Sequence, residues 1–211
     1  MICFIILYTF LATLRDFRDN FTVEIWNEVD PGWDKNVFTQ TEAVTSIIVL
    51  AVIGSLSSIK NNFKGFWVVN GIIGAGFIIT AMATILFQKH ILSPFWWMLL
   101  LGTGLFLAYM PMQIALFERL IAHFRIKANA GFFVYMCDSI GYLGSVVLML
   151  YKEFFMKEMN WSVVLMKFTY FQAVISLLLL AAACIFFYKR AVRARKSELT
   201  VTAEFQNVQT H

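Results

Sequence analysis

The sequence predicts an all-α, polytopic membrane protein with six transmembrane helices. Three observations predict it. Of 211 residues, 60% are hydrophobic and 14% charged, where soluble domains run near 45–50% apolar and about 25% charged; the mean hydropathy is +0.71. Apolar runs of spanning length recur between residues 2 and 188. Lysines and arginines gather beside these runs in alternate connections. That pattern sets orientation in a membrane and is not the single basic patch of a nucleic-acid-binding domain.

The first helix starts at about Ile2 and extends as far as Trp26. Met1 to Leu14 carry no charged side chain. Fourteen helical residues rise about 21 Å against a hydrocarbon core of roughly 30 Å. If the helix crosses, the hexad Arg15-Asp16-Phe17-Arg18-Asp19-Asn20 lies inside the slab or at its outer edge. Charges there are costly unless paired or wet, which makes the hexad a candidate site. The run lacks the basic n-region and small-residue cleavage site of a signal peptide. Its abrupt start inside a helix is what a C-terminal half or a fragment would show. An acidic connection, Asn27 to Asp34, follows, with Pro31-Gly32 as a turn and Trp26 and Trp33 suited to an interface.

The second helix runs from about Val37 to Ile59, where Thr39 and Glu42 read as a capping box. The third runs from about Phe66 to Gln88. Its Gly71, Gly74, Ala75 and Gly76 permit close helix packing. The fourth runs from about Pro94 to Leu116 or Ala122, anchored by Trp96 and Trp97, with an interior kink predicted at Pro111. The fifth covers about Asn129 to Tyr151, and the sixth Val163 to Tyr188. Residues 1–188 thus form the transmembrane domain, and 189–211 a basic, then polar, disordered tail.

Six spans put both ends on one side. Lys60, Lys64, Arg119, Arg125, Lys127 and the tail residues Lys189, Arg190, Arg193, Arg195 and Lys196 share that side. The opposite loops carry Lys35, Lys89, Lys152 and Lys157, mostly beside Glu28, Asp30, Asp34, Glu153 and Glu158. The positive-inside bias therefore places both termini in the cytoplasm, in the inner membrane.

In the first helix, Arg15, Arg18, Asp19 and Thr22 fall on one face, with Asp16 and Asn20 beside it. The hexad reads as a substrate site, a salt-bridged lock or a solvated interfacial turn. In the fifth helix, Gly131, Tyr135, Asp138, Tyr142 and Ser145 form a stripe. Asp138 lies about 14 Å along the axis from Asn129, near the midplane. It must be paired or protonated there, and Arg15 or Arg18 is the expected partner. Tyr109 and Gln113, at i and i+4 around Pro111, line a cavity or make inter-helix hydrogen bonds. Glu42 caps its helix or contacts substrate, and Glu118 with Arg119 forms an interfacial ion pair.

Cys3, Cys137 and Cys184 sit in apolar segments without CxxC spacing, and His90, His123 and His211 are scattered. Neither metal nor disulfide chemistry is expected, and no cofactor. No nucleophile–base pair or phosphate-cradling glycine loop is present, so the chain does not read as an enzyme.

Six spans, a basic connection between the second and third, and polar faces on the first, second, fourth and fifth resemble one half of a major facilitator transporter. More narrowly, Arg15-Asp-Phe-Arg-Asp-Asn-Phe-Thr-Val-Glu-Ile-Trp26, Leu116-Phe-Glu-Arg-Leu-Ile-Ala122, Asn129-Ala-Gly-Phe and Asp138-Ser-Ile-Gly-Tyr-Leu-Gly-Ser145 are similar to segments of an uncharacterised bacterial family of major-facilitator-like membrane proteins. The resemblance covers about residues 1–188 and implies a C-terminal six-helix half. A weaker likeness, to organophosphate antiporters, rests on an arginine in the first helix. The adjacent aspartates depart from a purely cationic site. The segment Ser55 to Lys64 has lysines but none of the acid of the usual facilitator loop.

The expected function is therefore transport of a small polar or anionic solute by alternating access. Arg15, Arg18, Asp19, Asn20 and Asp138 would line the path, with Tyr109, Gln113 and Tyr142 as further contacts. The expected partners are membrane lipids, an unknown small substrate and a second six-helix half, with no nucleic acid. The alternative is a non-transporting scaffold or sensor held by an intramembrane salt-bridge network.

Overall fold

The computed structural model describes residues 2–124, 129–155 and 160–209; Arg125, Lys127, Lys157, Glu158 and His211 lie outside them. The elements are α1 (Ile2–Asn20), α2 (Thr22–Val29), α3 (Lys35–Leu56), α4 (Asn62–Gln88), α5 (Pro94–Pro111), a π-helical turn (Met112–Leu116), α6 (Phe117–Phe124), α7 (Ala130–Phe155) and α8 (Trp161–Gln209). No strand occurs among the described residues.

Five segments are long and apolar enough to cross a membrane: Lys35–Leu56, Asn62–Gln88, Pro94–Ala122, Ala130–Tyr151 and Trp161–Val192. They match the second to sixth predicted helices. The first predicted span does not qualify on length and apolarity, because Arg15, Asp16, Arg18 and Asp19 break its apolar run. It is split at Phe21, yet the ladder continues through the turn. The Phe21 amide donates to the Phe17 carbonyl at 3.1 Å and the Ile25 amide to the Phe21 carbonyl at 2.9 Å. α1 and α2 therefore follow one another as a single broken rod.

Local signals explain most of the boundaries. Pro31-Gly32 makes the expected turn. α3 begins earlier than predicted, because the Asp34 carboxylate caps it by accepting from the Asn36 amide at 3.2 Å. Thr39 and Glu42 are then already inside the helix and form no capping box. Asn61 caps α4 through the Phe63 and Lys64 amides. His90 ends it at φ 57°, the left-handed position that glycine usually fills. Pro111 removes a ladder donor, and the chain answers with the π turn at Met112–Leu116. α8 runs on to Gln209, past the Tyr188 boundary where an irregular tail was expected.

Of the glycines in α4, Gly65 makes room for the Arg119 side chain, and Gly76 sets the approach to α5. A Cβ there would lie 2.5 Å from the Gly104 carbonyl oxygen of α5, so the two backbones touch directly. Gly71 faces open space.

The helices pack in a regular scheme. α1 contacts α7 and α8; α5 contacts α3 and α4; α1 meets α5, and α4 meets α8. Number the helical rods in chain order, taking α1–α2 as the first and α5–α6 as the fourth. Exchanging first with fourth, second with fifth and third with sixth then maps this set of pairs onto itself. The broken ends obey the same exchange: α2 lies on α8, and α6 on α4. A smaller contact joins α6 to α7. The first and fourth rods, both interrupted, are central. The second and fifth are peripheral, with 17% and 18% of their apolar windows buried against 72% for the fourth.

Candidate functional site

The polar side chains of α1 do not project at random. Arg15 and Arg18 turn toward α5 and α3, and Asp16 turns toward α7. Continuing the Arg15 face back by seven residues reaches Tyr8, which is fully buried.

Three oxygens meet where α1, α5 and α7 converge. The Tyr8 hydroxyl lies 2.7 Å from Asp138 Oδ1 and 3.0 Å from the Tyr109 hydroxyl, and the Tyr109 hydroxyl is 3.2 Å from the same Oδ1. Above them the Arg15 guanidinium carbon sits 4.3 Å from the centroid of the Tyr109 ring, a cation–π contact. Arg15 also donates through Nε and Nη2 to Asp16 Oδ1, at 2.8 and 2.5 Å. Asp16 Oδ2 accepts from the Ser145 hydroxyl of α7 at 2.8 Å.

The expected pairing of Asp138 with Arg15 or Arg18 is not what forms. Among the described residues no cation lies within 4.0 Å of Asp138, because each arginine is taken by a nearer acid. Sequence adjacency gives Arg15 to Asp16. Arg18 is 1% exposed and reaches Glu42 Oε1 with Nη2 at 2.5 Å and Asp19 Oδ1 with Nη1 at 3.1 Å. Its Nε has no hydrogen-bond partner among the described residues. The guanidinium fits only because Gly102 of α5 lacks a side chain: a Cβ there would be 2.7 Å from Nη2. Next to it, Thr45 and Thr103 share a hydrogen bond of 3.2 Å between α3 and α5. The cluster thus ties the central spans to both peripheral ones.

Of the residues expected in the site, Arg15, Arg18, Asp19, Tyr109 and Asp138 gather here. Asn20 is exposed at the break after α1. Gln113 is half-buried in the π turn, one turn past Tyr109, without a hydrogen bond to any described residue. Tyr142 is 63% exposed and Tyr135 76%, so both stand on the outer face of α7. The α1-facing side of α7 is instead Cys137, Gly141, Gly144 and Ser145, where Ala12 and Thr13 press against the two glycines. The predicted stripe ran two faces together. Glu118 and Arg119 form no ion pair with each other; Arg119 Nη2 donates to the Leu56 carbonyl at 3.2 Å.

Sequence reasoning missed Tyr8 and left Glu42 between a cap and a substrate contact. Tyr8 was legible as the i−7 neighbour of Arg15. Glu42 was masked by its plausibility as a cap.

Among the described residues no group of His, Cys, Asp and Glu is placed to hold a metal ion. The arrangement offers buried hydrogen-bond donors, two neutralised guanidiniums and one carboxylate held only by phenols. No curated protein and no solved structure matches the chain. A model of a family of unknown function (DUF5690) matches residues 1–190. The chain belongs to that family.

Proposed function

We propose that this chain is a six-span half of a major-facilitator-like transporter, with both ends cytoplasmic in the inner membrane, moving a small polar solute by alternating access. The observation that supports it most is the packing scheme, unchanged when the first three spans are exchanged for the last three. Three is an odd number, so the two units would cross in opposite senses. An inverted repeat of this kind underlies facilitator halves.

The exposed α3 and α7 flank the polar face of α1 and α5. A second six-helix body seated on them would close that face into a central cavity lined by Arg15, Arg18, Asp19, Tyr109 and Asp138. Asn20, Gln113 and Tyr142 stand at its edges, where a second body would bring them into use. Both guanidiniums are neutralised within the chain, which favours a polar solute over an anion. The test is uptake into proteoliposomes holding the complete protein. Asp138→Asn and Arg18→Ala should fold and abolish uptake; wild-type uptake by both variants contradicts the reading.

A second reading, a scaffold or sensor, draws on the same ion pairs, since Arg15–Asp16 and Arg18–Glu42 are what a static lock needs. A lock does not require the unpaired Asp138. If Asp138→Asn changes neither uptake nor any signalling output but raises thermal stability, the lock is favoured.

A further inference from the structure

We infer that Asp138, Tyr8 and Tyr109 form a proton-binding site, and that the cation taken up there is a proton rather than a metal ion. The inference deepens the transporter reading by naming its coupling ion.

The first argument counts protons. Three oxygens, Tyr8 Oη, Tyr109 Oη and Asp138 Oδ1, lie within 2.7–3.2 Å of one another. Each phenol carries one O–H, and an ionised carboxylate only accepts. With Asp138 ionised, two protons serve three contacts, and one pair of oxygens faces without a hydrogen between. One proton added to Oδ1 completes a ring. Asp138 then donates to Tyr8, Tyr8 to Tyr109, and Tyr109 to Asp138. The process forms one O–H bond and needs no other reactant.

The second argument is charge. The cluster holds Arg15 and Arg18 against Asp16, Asp19, Glu42 and Asp138, a net charge of minus two when all are ionised. Asp138 is the one carboxylate of these without an arginine. Tyr8 from α1 and Tyr109 from α5 bond it, and Cys137 adjoins it on its own helix. Arg15 is committed to Asp16 and to the Tyr109 ring. From α6, Glu118 is exposed and Arg119 bonds a carbonyl. A carboxylate at membrane depth with no cation is neutralised most simply by a proton. A metal ion needs several oxygen ligands, and among the described residues no group of His, Cys, Asp and Glu is placed to hold one.

The test is an infrared difference titration of the full chain in liposomes, with and without sodium at fixed pH. The expected result is one protonated-carboxyl band that titrates, vanishes in Asp138→Asn, and moves to higher frequency in Tyr8→Phe and Tyr109→Phe as hydrogen bonds are lost. Sodium should leave it unchanged. A band that persists in Asp138→Asn, that ignores both tyrosine variants, or that sodium removes overturns the proposal. The titration reads protonation without any transport assay, so a failed uptake experiment with an intact Asp138 band would count against the transporter alone.

Discussion

Arg18 Nη2 lies 2.5 Å from Glu42 Oε1, and this contact joins the broken first span to the peripheral α3. Arg18 is almost wholly buried, while Glu42 is 27% exposed. Removing the acid leaves the buried cation with only the exposed Asp19, which costs more than removing both partners. Glu42→Ala is expected to destabilise the protein by about 3 kcal/mol, and Arg18→Met with Glu42→Leu to recover most of it. Thermal unfolding in detergent checks this; equal losses in the single and double variants would contradict it.

The glycines rank by what a methyl group would meet. Gly76→Ala places a Cβ 2.5 Å from a backbone oxygen and 2.8 Å from a backbone nitrogen of α5, so the helices must part, at about 1–3 kcal/mol. Gly102→Ala meets the Arg18 guanidinium, which can move only by loosening its hold on Glu42, so the loss is smaller and depends on Arg18. Gly71→Ala meets nothing within 4 Å and should change stability by less than about 0.5 kcal/mol. Melting temperatures of the three variants, with Gly102→Ala repeated in Arg18→Met, give the order.

Ser145 donates to Asp16, a hydrogen bond between helices in the membrane. Such bonds average about 0.6 kcal/mol, so Ser145→Ala should be mild. Farther along the same rod, past the break, Glu28 receives the Trp161 and Ser162 amides at 2.6 and 2.7 Å. It thereby caps α8 from α2, supported by the stacked Phe21 and Trp161 rings 4.4 Å apart. Glu28→Gln should fray the start of α8, read as faster amide exchange at residues 161–164, with the α1–α7 contacts unaffected.

Helix positions were legible because apolar length and turn residues act locally: Pro31-Gly32 and Pro94 each mark a boundary that the chain obeys, whereas α4 starts at Asn62, four residues before the expected Phe66. The polar residues of α1 were legible as a group, because four charges so close to an apolar run have few places to go. Their pairing was not. Periodicity gives a face but not the rotation of one helix against another, so Asp138 was assigned an arginine when two tyrosines hold it. Tyr142 was grouped with Asp138 by spacing, although α7 turns that face outward. Gly102 carried no signal at all, since only the position of Arg18 makes its missing side chain matter.

The central claim is that α1, α5 and α7 line an aqueous path through the membrane. The direct measurement is thiol labelling by a membrane-impermeant reagent in sealed vesicles, with Cys3, Cys137 and Cys184 replaced. Asp138→Cys should react from at least one side, while Ile78→Cys, 53% exposed on α4, should stay unlabelled in lipid. If neither cysteine reacts from either side, no water reaches Asp138 and the transport account fails.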